Sequence, residues 1–300
     1  VLDFASSFPK DQIIIIDNNS TDNTALIAKK LSEINKNIHY HFVSRKGKGA
    51  ALRSAFQEFN FDYWLLADCD YTYPAKDLKS LFTKCVSSNA HHGIVNRLEN
   101  DAYKNTSLLK TVIHKIGNSF FSLLSRLVNR DQIKDSLSGG RFFSNAFVKS
   151  FIVVNDGFEI ETEMNFHSSI ICVETIQVPC NYRLRGPNST SKLSTFKDGF
   201  RILKAYFLHS AKLYLDFPLL IISIVFFILG LFFGFKLLLL YLNVGQVIYH
   251  STATVASLFL LFGLLTFSTA IILRALKLNY NYLVNQKFTS LIHSESDKIK

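Results

Sequence analysis

The sequence has no Cys-x-x-Cys pair, no paired Cys/His ligand pattern and no aromatic RNA-binding signature. A nucleic-acid partner is therefore not expected, despite a formal charge of +10. The basic residues are spread along the chain rather than gathered into runs, which fits a surface facing anionic lipid or phosphate. The Walker spacing is missing, as is the dinucleotide-binding fingerprint. The four cysteines, Cys69, Cys85, Cys172 and Cys180, stand in apolar contexts and read as free thiols in a reducing compartment. Asn19, Asn105 and Asn188 begin formal glycosylation sequons, which carry no meaning for a cytoplasmic domain. The chain starts without methionine, in what reads as the tail of a helix, and the position of its apolar segments excludes a signal peptide.

Charge is nearly absent from one long stretch. Between Phe217 and Leu273 the sole charged side chain is Lys236. That span fits two membrane helices, each needing about 20 residues to cross about 30 Å of hydrocarbon. They are expected near 217–238 and 253–273, around a short loop containing Asn243 to Gln246. Arg201, Lys204 and Lys212 precede the hairpin, and Arg274 and Lys277 follow it. The positive-inside rule then puts both ends in the cytoplasm.

Ahead of the hairpin, aliphatic runs alternate with helical patterns. Ile13 to Ile16 is a short buried-strand run that ends at Asp17. Ser20 or Thr21 can cap the helix that continues to Ile34. Such a turn suits anionic or sugar hydroxyl groups, and equally describes an ordinary capped helix. Strands are expected over 38–43, 63–67 and 92–97, with helices over 50–59 and 75–86. Four strand–helix alternations predict a doubly wound α/β domain. Gly47-Lys48-Gly49, at a helix start, weakly favours phosphate. The pattern over 106–130 is a basic amphipathic helix, packed on the domain or lying at a membrane interface. A strand over 171–178 and a loop over 182–193, rich in hydroxyls and cations, complete the domain.

The clearest chemical signal is Trp64-Leu65-Leu66-Ala67-Asp68-Cys69-Asp70. Residues two apart in an extended segment point to the same side. Asp68 and Asp70 can aim both carboxylates at one point past a strand's carboxyl end, where open α/β sheets bind ligands. Two hard oxygen ligands suit Mg²⁺ or Mn²⁺ completed by substrate phosphates. A plain surface turn is the alternative.

In order along the chain, five segments resemble glycosyltransferase family 2, the inverting enzymes of GT-A fold, and within it the dolichol- or polyprenyl-phosphate sugar transferases. Asp17-Asn18-Asn19-Ser20-Thr21-Asp22 is similar to the family's Asp-Asp/Asn-Gly-Ser-x-Asp nucleotide motif. Gly47-Lys48-Gly49-Ala50-Ala51 matches Gly-Lys-Gly-x-Ala, and Asp68 to Pro74 resembles Asp-Ala-Asp-Gly-Thr-Tyr-Pro. Ser138-Gly139-Gly140-Arg141 is close to Ser-Gly-Phe-Arg, and Arg185 with Ser191-Lys192-Leu193 to Arg…Ser-Lys-Leu. The family's opening Pro-x-Tyr-Asn-Glu segment is not in the sequence, and with it go a sheet partner and part of the nucleotide pocket.

The resemblance implies a Rossmann-like GT-A domain over 1–195, a juxtamembrane amphipathic helix over 196–216, a transmembrane hairpin over 217–275 and a cytoplasmic tail over 276–300. It implies a nucleotide-sugar donor, UDP- or GDP-linked, bound by Asp17, Asn18, Ser20, Asp22, Lys48, Gly49, Thr72, Ser191 and Lys192. Asp68 and Asp70 would hold Mg²⁺ or Mn²⁺, and Arg185 with Lys192 would neutralise the leaving diphosphate. The acceptor would be a polyprenyl or dolichyl phosphate at the cytoplasmic face of a bacterial inner membrane, clamped by Arg97, Arg141 and, more weakly, Lys110. An alternative acceptor is a hydroxyl of a lipid-linked saccharide in cell-surface polysaccharide synthesis. Glu161, or Glu159 or Glu163, would then be the general base rather than a helix-surface acid. A non-catalytic membrane scaffold is the third reading.

Overall fold

The computed structural model describes residues 1–98, 123, 133–183, 195–246 and 249–299. It divides into two compact units, Val1–Tyr206 with Val284–Lys300, and Phe207–Leu283.

In the first unit, α1 (Leu2–Ser7) leads into β1 (Ile13–Asp17), whose β-branched side chains suit a pleated, buried surface. β1 pairs in parallel with β2 (Ile38–Phe42), Ile13 opposite Ile38 and Asp17 opposite Phe42. The intervening α2 (Thr24–Ile34) closes over the pair, burying Ala28 against Ile15 and Ile38. Neither Ser20 nor Thr21 is the cap of α2. Asn23 takes the cap position, and the Asp22 carboxylate accepts the Thr24 N–H at 3.0 Å.

A second sheet follows α3 (Lys48–Glu58). It contains β3 (Tyr63–Leu66), β4 (His92–Asn96) after α4 (Ala75–Ser87), β5 (Arg141–Ser144) and β6 (Thr175–Pro179), in the order β3-β5-β4-β6. β5 runs antiparallel to both neighbours, and β4 pairs with β6 in parallel. The α/β class expected from the sequence is therefore built on a mixed sheet. β5 was not expected, and it is the strand that joins β3 to β4. Its alternating side chains feed both faces. Phe142 packs with Leu78, Leu81 and Cys85 of α4, while Phe143 packs with Leu52, Phe56 and Phe147. Helices α5 (Asn145–Ser150) and α6 (Ile160–Ile170) follow β5. A cleft of about 260 Å³ lies between β1 and β3, lined by Ile13, Ile15, Leu65 and Ala67 and reaching Asp68. Among the described residues, the edges of β1 and β3 beside it carry no strand partner.

After α7 (Thr195–Tyr214) come two long apolar helices, α8 (Asp216–Val244) and α9 (His250–Ile299). Both contain a stretch long and apolar enough to cross a membrane. Within the second unit Gly230 lets them approach closely, since a Cβ there would lie 2.7 Å from the Leu260 side chain. Gly245, at φ +74°, ends α8. α9 continues well past the span expected near 253–273. Its last turns, expected as a tail of their own, belong to the first unit, where Val284 and Phe288 join the core around Phe147 and Met164.

Candidate active site

Asp68 follows β3 at the carboxyl end of the strand, and Asp70 follows it at the expected spacing. The Thr72 hydroxyl donates to Asp70 Oδ1 at 2.5 Å and its N–H does so at 3.3 Å, fixing that carboxylate. Tyr71, between them, has φ +68° at the place where the family motif carries glycine. Such a backbone costs a non-glycine residue about 1–2 kcal/mol. The Arg183 guanidinium lies 4.5 Å over the Tyr71 ring, and the Arg183 N–H donates to the Thr72 carbonyl at 2.8 Å.

Asp68 does not stand alone. The Lys48 ammonium donates to Asp68 Oδ1 at 2.7 Å and to Glu161 Oε1 at 2.8 Å. Burial by itself would lower the Lys48 pKa, but the two carboxylates outweigh it and hold the group well above its ordinary value. Gly139 is packed directly on this group, since a Cβ there would sit 2.6 Å from Asp68 Oδ2 and 2.9 Å from Lys48 Nζ. The buried Tyr73 hydroxyl accepts the Gly139 N–H at 2.8 Å and fixes that segment. Glu161 and Glu163 are buried rather than on a helix surface. Glu163 accepts the N–H groups of Val154 and Asn155, both at 2.9 Å, and so pins the loop before α6; burial nevertheless pushes its pKa up.

The glycines around Lys48 have a structural cause. The Gly49 N–H donates to the Asp156 carbonyl at 2.8 Å, and the Ala50 N–H to the same carbonyl at 3.3 Å. A Cβ on Gly47 or Gly49 would come within 2.1 Å of the carbonyl oxygen of Asp156 or Asn155. The start of α3 is thus capped by the chain itself, which corrects the reading of Gly49 as a phosphate contact. Asp156 is held in turn by Arg45 and Arg53, and its pKa lies below the usual range because those guanidinium bonds outweigh desolvation.

Asp17 ends β1, buried, and accepts the Ser20 N–H and the Tyr40 hydroxyl, each at 3.0 Å. Desolvation opposes its charge, yet the bonds from Ser20 and Tyr40 win and its pKa is lowered. Asn18 donates to the Arg45 carbonyl at 2.6 Å and accepts the Gly47 N–H, tying the first turn to the Lys48 turn. Its side chain is thereby tied to the protein's own backbone.

Of the two arginines expected at the acceptor, Arg141 needs correction. Arg141 is fully buried: Nε donates to the Ser138 carbonyl at 2.8 Å, Nη1 to Asn165 at 2.7 Å and Nη2 to the Ser136 carbonyl at 2.8 Å. It struts the core and presents no donor to a lipid phosphate. Arg97 clasps Asp135 through Nε and Nη2, both at 2.8 Å, with its guanidinium 5.5 Å from the Tyr182 ring centre. Lys110, Arg185, Ser191 and Lys192, and all but residue 123 of the helix expected over 106–130, lie outside the described residues. The links of Lys48 to Glu161 and of Asp156 to the α3 start were not anticipated. Gly47-Lys48-Gly49 signalled a close approach at that point without saying to what.

Among the described residues no group of three or more His, Cys, Asp or Glu side chains forms a metal cage. Mg²⁺ and Mn²⁺ do not require one, because they bind through one or two carboxylates plus substrate phosphates. Asp68 and Asp70, hard oxygen donors beside an open cleft, fit that mode.

The glycosyl transferase family 2 model matches residues 1–146. An uncharacterised Shigella flexneri protein is 37% identical over 143 residues, 46% of this chain and 85% of that protein. Glycosyltransferase AglJ of Haloferax volcanii is 28% identical over 62% of this chain and 59% of its own length. A UDP-N-acetylglucosamine–dolichyl-phosphate N-acetylglucosaminyltransferase of Methanococcus voltae is 29% identical over 46% of this chain and 61% of its own. The chain belongs to glycosyltransferase family 2, whose members commonly use a divalent metal. It is a glycosyltransferase carrying two helices long and apolar enough to cross a membrane.

Proposed function

We propose that this glycosyltransferase moves a sugar from a UDP- or GDP-linked donor to a polyprenyl or dolichyl phosphate at the cytoplasmic face of a bacterial inner membrane. The carrying observation is Asp68 and Asp70 just past β3, Asp70 oriented by Thr72, beside the cleft. The activity for which the Methanococcus relative is named and the two apolar helices support the acceptor class.

Asp68 and Asp70 would hold Mg²⁺ or Mn²⁺, which when bound supplies positive charge for the diphosphate. Asp17 with Ser20 would shape the nucleotide end of the site, and Arg185, Ser191 and Lys192 would close over the diphosphate. The lipid phosphate is ionised at neutral pH, so its oxygen attacks the anomeric carbon without a base. The bond from that carbon to the β-phosphate oxygen breaks, the nucleoside diphosphate leaves, and the configuration inverts. With Arg141 in the core, Arg97 and, more weakly, Lys110 would meet the acceptor phosphate.

A second reading rests on Glu161 Oε2, which is buried and has no hydrogen-bond partner. A hydroxyl acceptor could give its proton there. Glu161→Gln separates the two, assayed on full-length enzyme with polyprenyl phosphate and with a lipid-linked saccharide. The lipid-phosphate reading expects kcat within a few-fold of wild type. A loss of about 10²–10⁴-fold, as expected for a missing general base, together with activity only on the saccharide, would transfer the case to the hydroxyl.

A further inference from the structure

We infer that Lys48 is a tethered cation occupying the carboxylate of Asp68, so that a divalent ion loads by exchange with the ammonium rather than by simple addition. This rests on the reading of Asp68 and Asp70 as the cation site.

Lys48 Nζ is shared between Asp68 Oδ1 and Glu161 Oε1. Its side chain is 14% exposed and that of Glu161 6%, whereas that of Asp68 is 35% exposed. The charge pair therefore has a dry end at Glu161 and a wetter end at Asp68, the end that an ion or phosphate can reach. The backbone under Lys48 cannot drift, because Gly47 and Gly49 are pressed against the Asn155 and Asp156 carbonyls. What remains free to move is the long side chain.

A divalent ion on Asp68 meets the ammonium across a few ångströms, and like charges at that distance repel strongly in a partly buried site. The ammonium has a place to retreat. Glu161 Oε2 is buried and lacks a partner, so Nζ can shift from a shared position to one on Glu161 alone. That shift satisfies the orphaned oxygen and clears Asp68. Lys48 acts here as a positioning residue, and the cost of moving it is offset when nucleotide diphosphate brings further negative charge.

The test is a Mn²⁺ titration of the full chain in detergent without nucleotide, with free Mn²⁺ read by electron paramagnetic resonance. Lys48→Met should bind Mn²⁺ about tenfold more tightly than wild type, since the competing charge is gone. Lys48→Arg should not tighten binding. Glu161→Gln should weaken it several-fold, because the ammonium then belongs to Asp68 alone. A purely structural lysine would not produce shifts of opposite sign. Unchanged or weaker binding in folded Lys48→Met, with binding still abolished by Asp68→Asn, overturns the exchange and leaves the metal site standing. Binding indifferent to Asp68→Asn overturns both. Should Lys48→Met fail to fold, Glu161→Gln decides, and unchanged or tighter binding there refutes the exchange.

Discussion

At the residue scale, Gly139 shows how tightly the site is drawn. A methyl group at that position would meet Asp68 Oδ2 at 2.6 Å and the Lys48 ammonium at 2.9 Å. Gly139→Ala should therefore displace the Asp68 carboxylate from its place and weaken Mn²⁺-dependent nucleotide binding at least tenfold, about 1.4 kcal/mol. The Tm should fall only slightly, because the clash meets side-chain ends; calorimetry that finds wild-type affinity counts against a site built on Asp68. Gly49→Ala differs in kind, because its clash at 2.1 Å is with the Asn155 backbone. It should destabilise the fold by about 1–3 kcal/mol, read as a lowered denaturation midpoint. Acid stability depends on two other residues. Burial holds the His167 pKa down at about 3, against an ordinary 6.5, and that of His92 well below 6.5. The unfolded chain then binds more protons than the folded one, so stability is complete above about pH 6.5 and declines as pH falls below it. Melting curves from pH 7.5 to 4.5 should show that decline, and His167→Asn should flatten it.

At the element scale, much was legible. Ile13 to Ile16, Ile38 to Val43 and Tyr63 to Ala67 read as strands because short runs of β-branched, aromatic and aliphatic residues between polar turns suit a pleated sheet, and each is a strand in the structure. β5 was not legible. Its residues Arg141-Phe142-Phe143-Ser144 are all buried, so no alternation marks a strand, and the Gly-rich motif before it reads as loop. The charged members of the site were legible by spacing, but their partners were not. Lys48 and Glu161 meet only because the start of α3 docks on the loop before α6. Nothing local announces that Arg141 faces Asn165 and His92 instead of solvent. β1 and β3 flank the cleft, and among the described residues their edges beside it carry no strand partner. The last turns of α9 carry Val284, Phe288, Leu291 and Ile292 at helical spacing, a stripe that packs on the first unit's core. Phe288→Ala should cost about 3–5 kcal/mol, as for other buried aromatic truncations. Chemical denaturation followed through Trp64 would read it, and a change below 1 kcal/mol would show that the last turns contribute little.

At the scale of the whole molecule, a family 2 glycosyltransferase unit is followed by a pair of membrane-length helices. The positive-inside rule, applied to the basic residues at both ends of the hairpin, predicts that those ends face the cytoplasm. Gly245→Cys should accordingly react with an impermeant thiol reagent from outside the cell, and Lys298→Cys should not; the reverse pattern would put the active site on the wrong face. The central claim is transfer to a lipid phosphate, and one measurement reads it directly. Membranes containing the full-length protein are given radiolabelled nucleotide sugar, Mn²⁺ and polyprenyl phosphate, and the organic-soluble product is counted. The account predicts label in a polyprenyl-phosphate sugar, lost in Asp68→Asn and Asp70→Asn and retained in Glu161→Gln. No labelled polyprenyl-phosphate sugar from any donor, with label entering a lipid-linked saccharide instead and vanishing in Glu161→Gln, would contradict it.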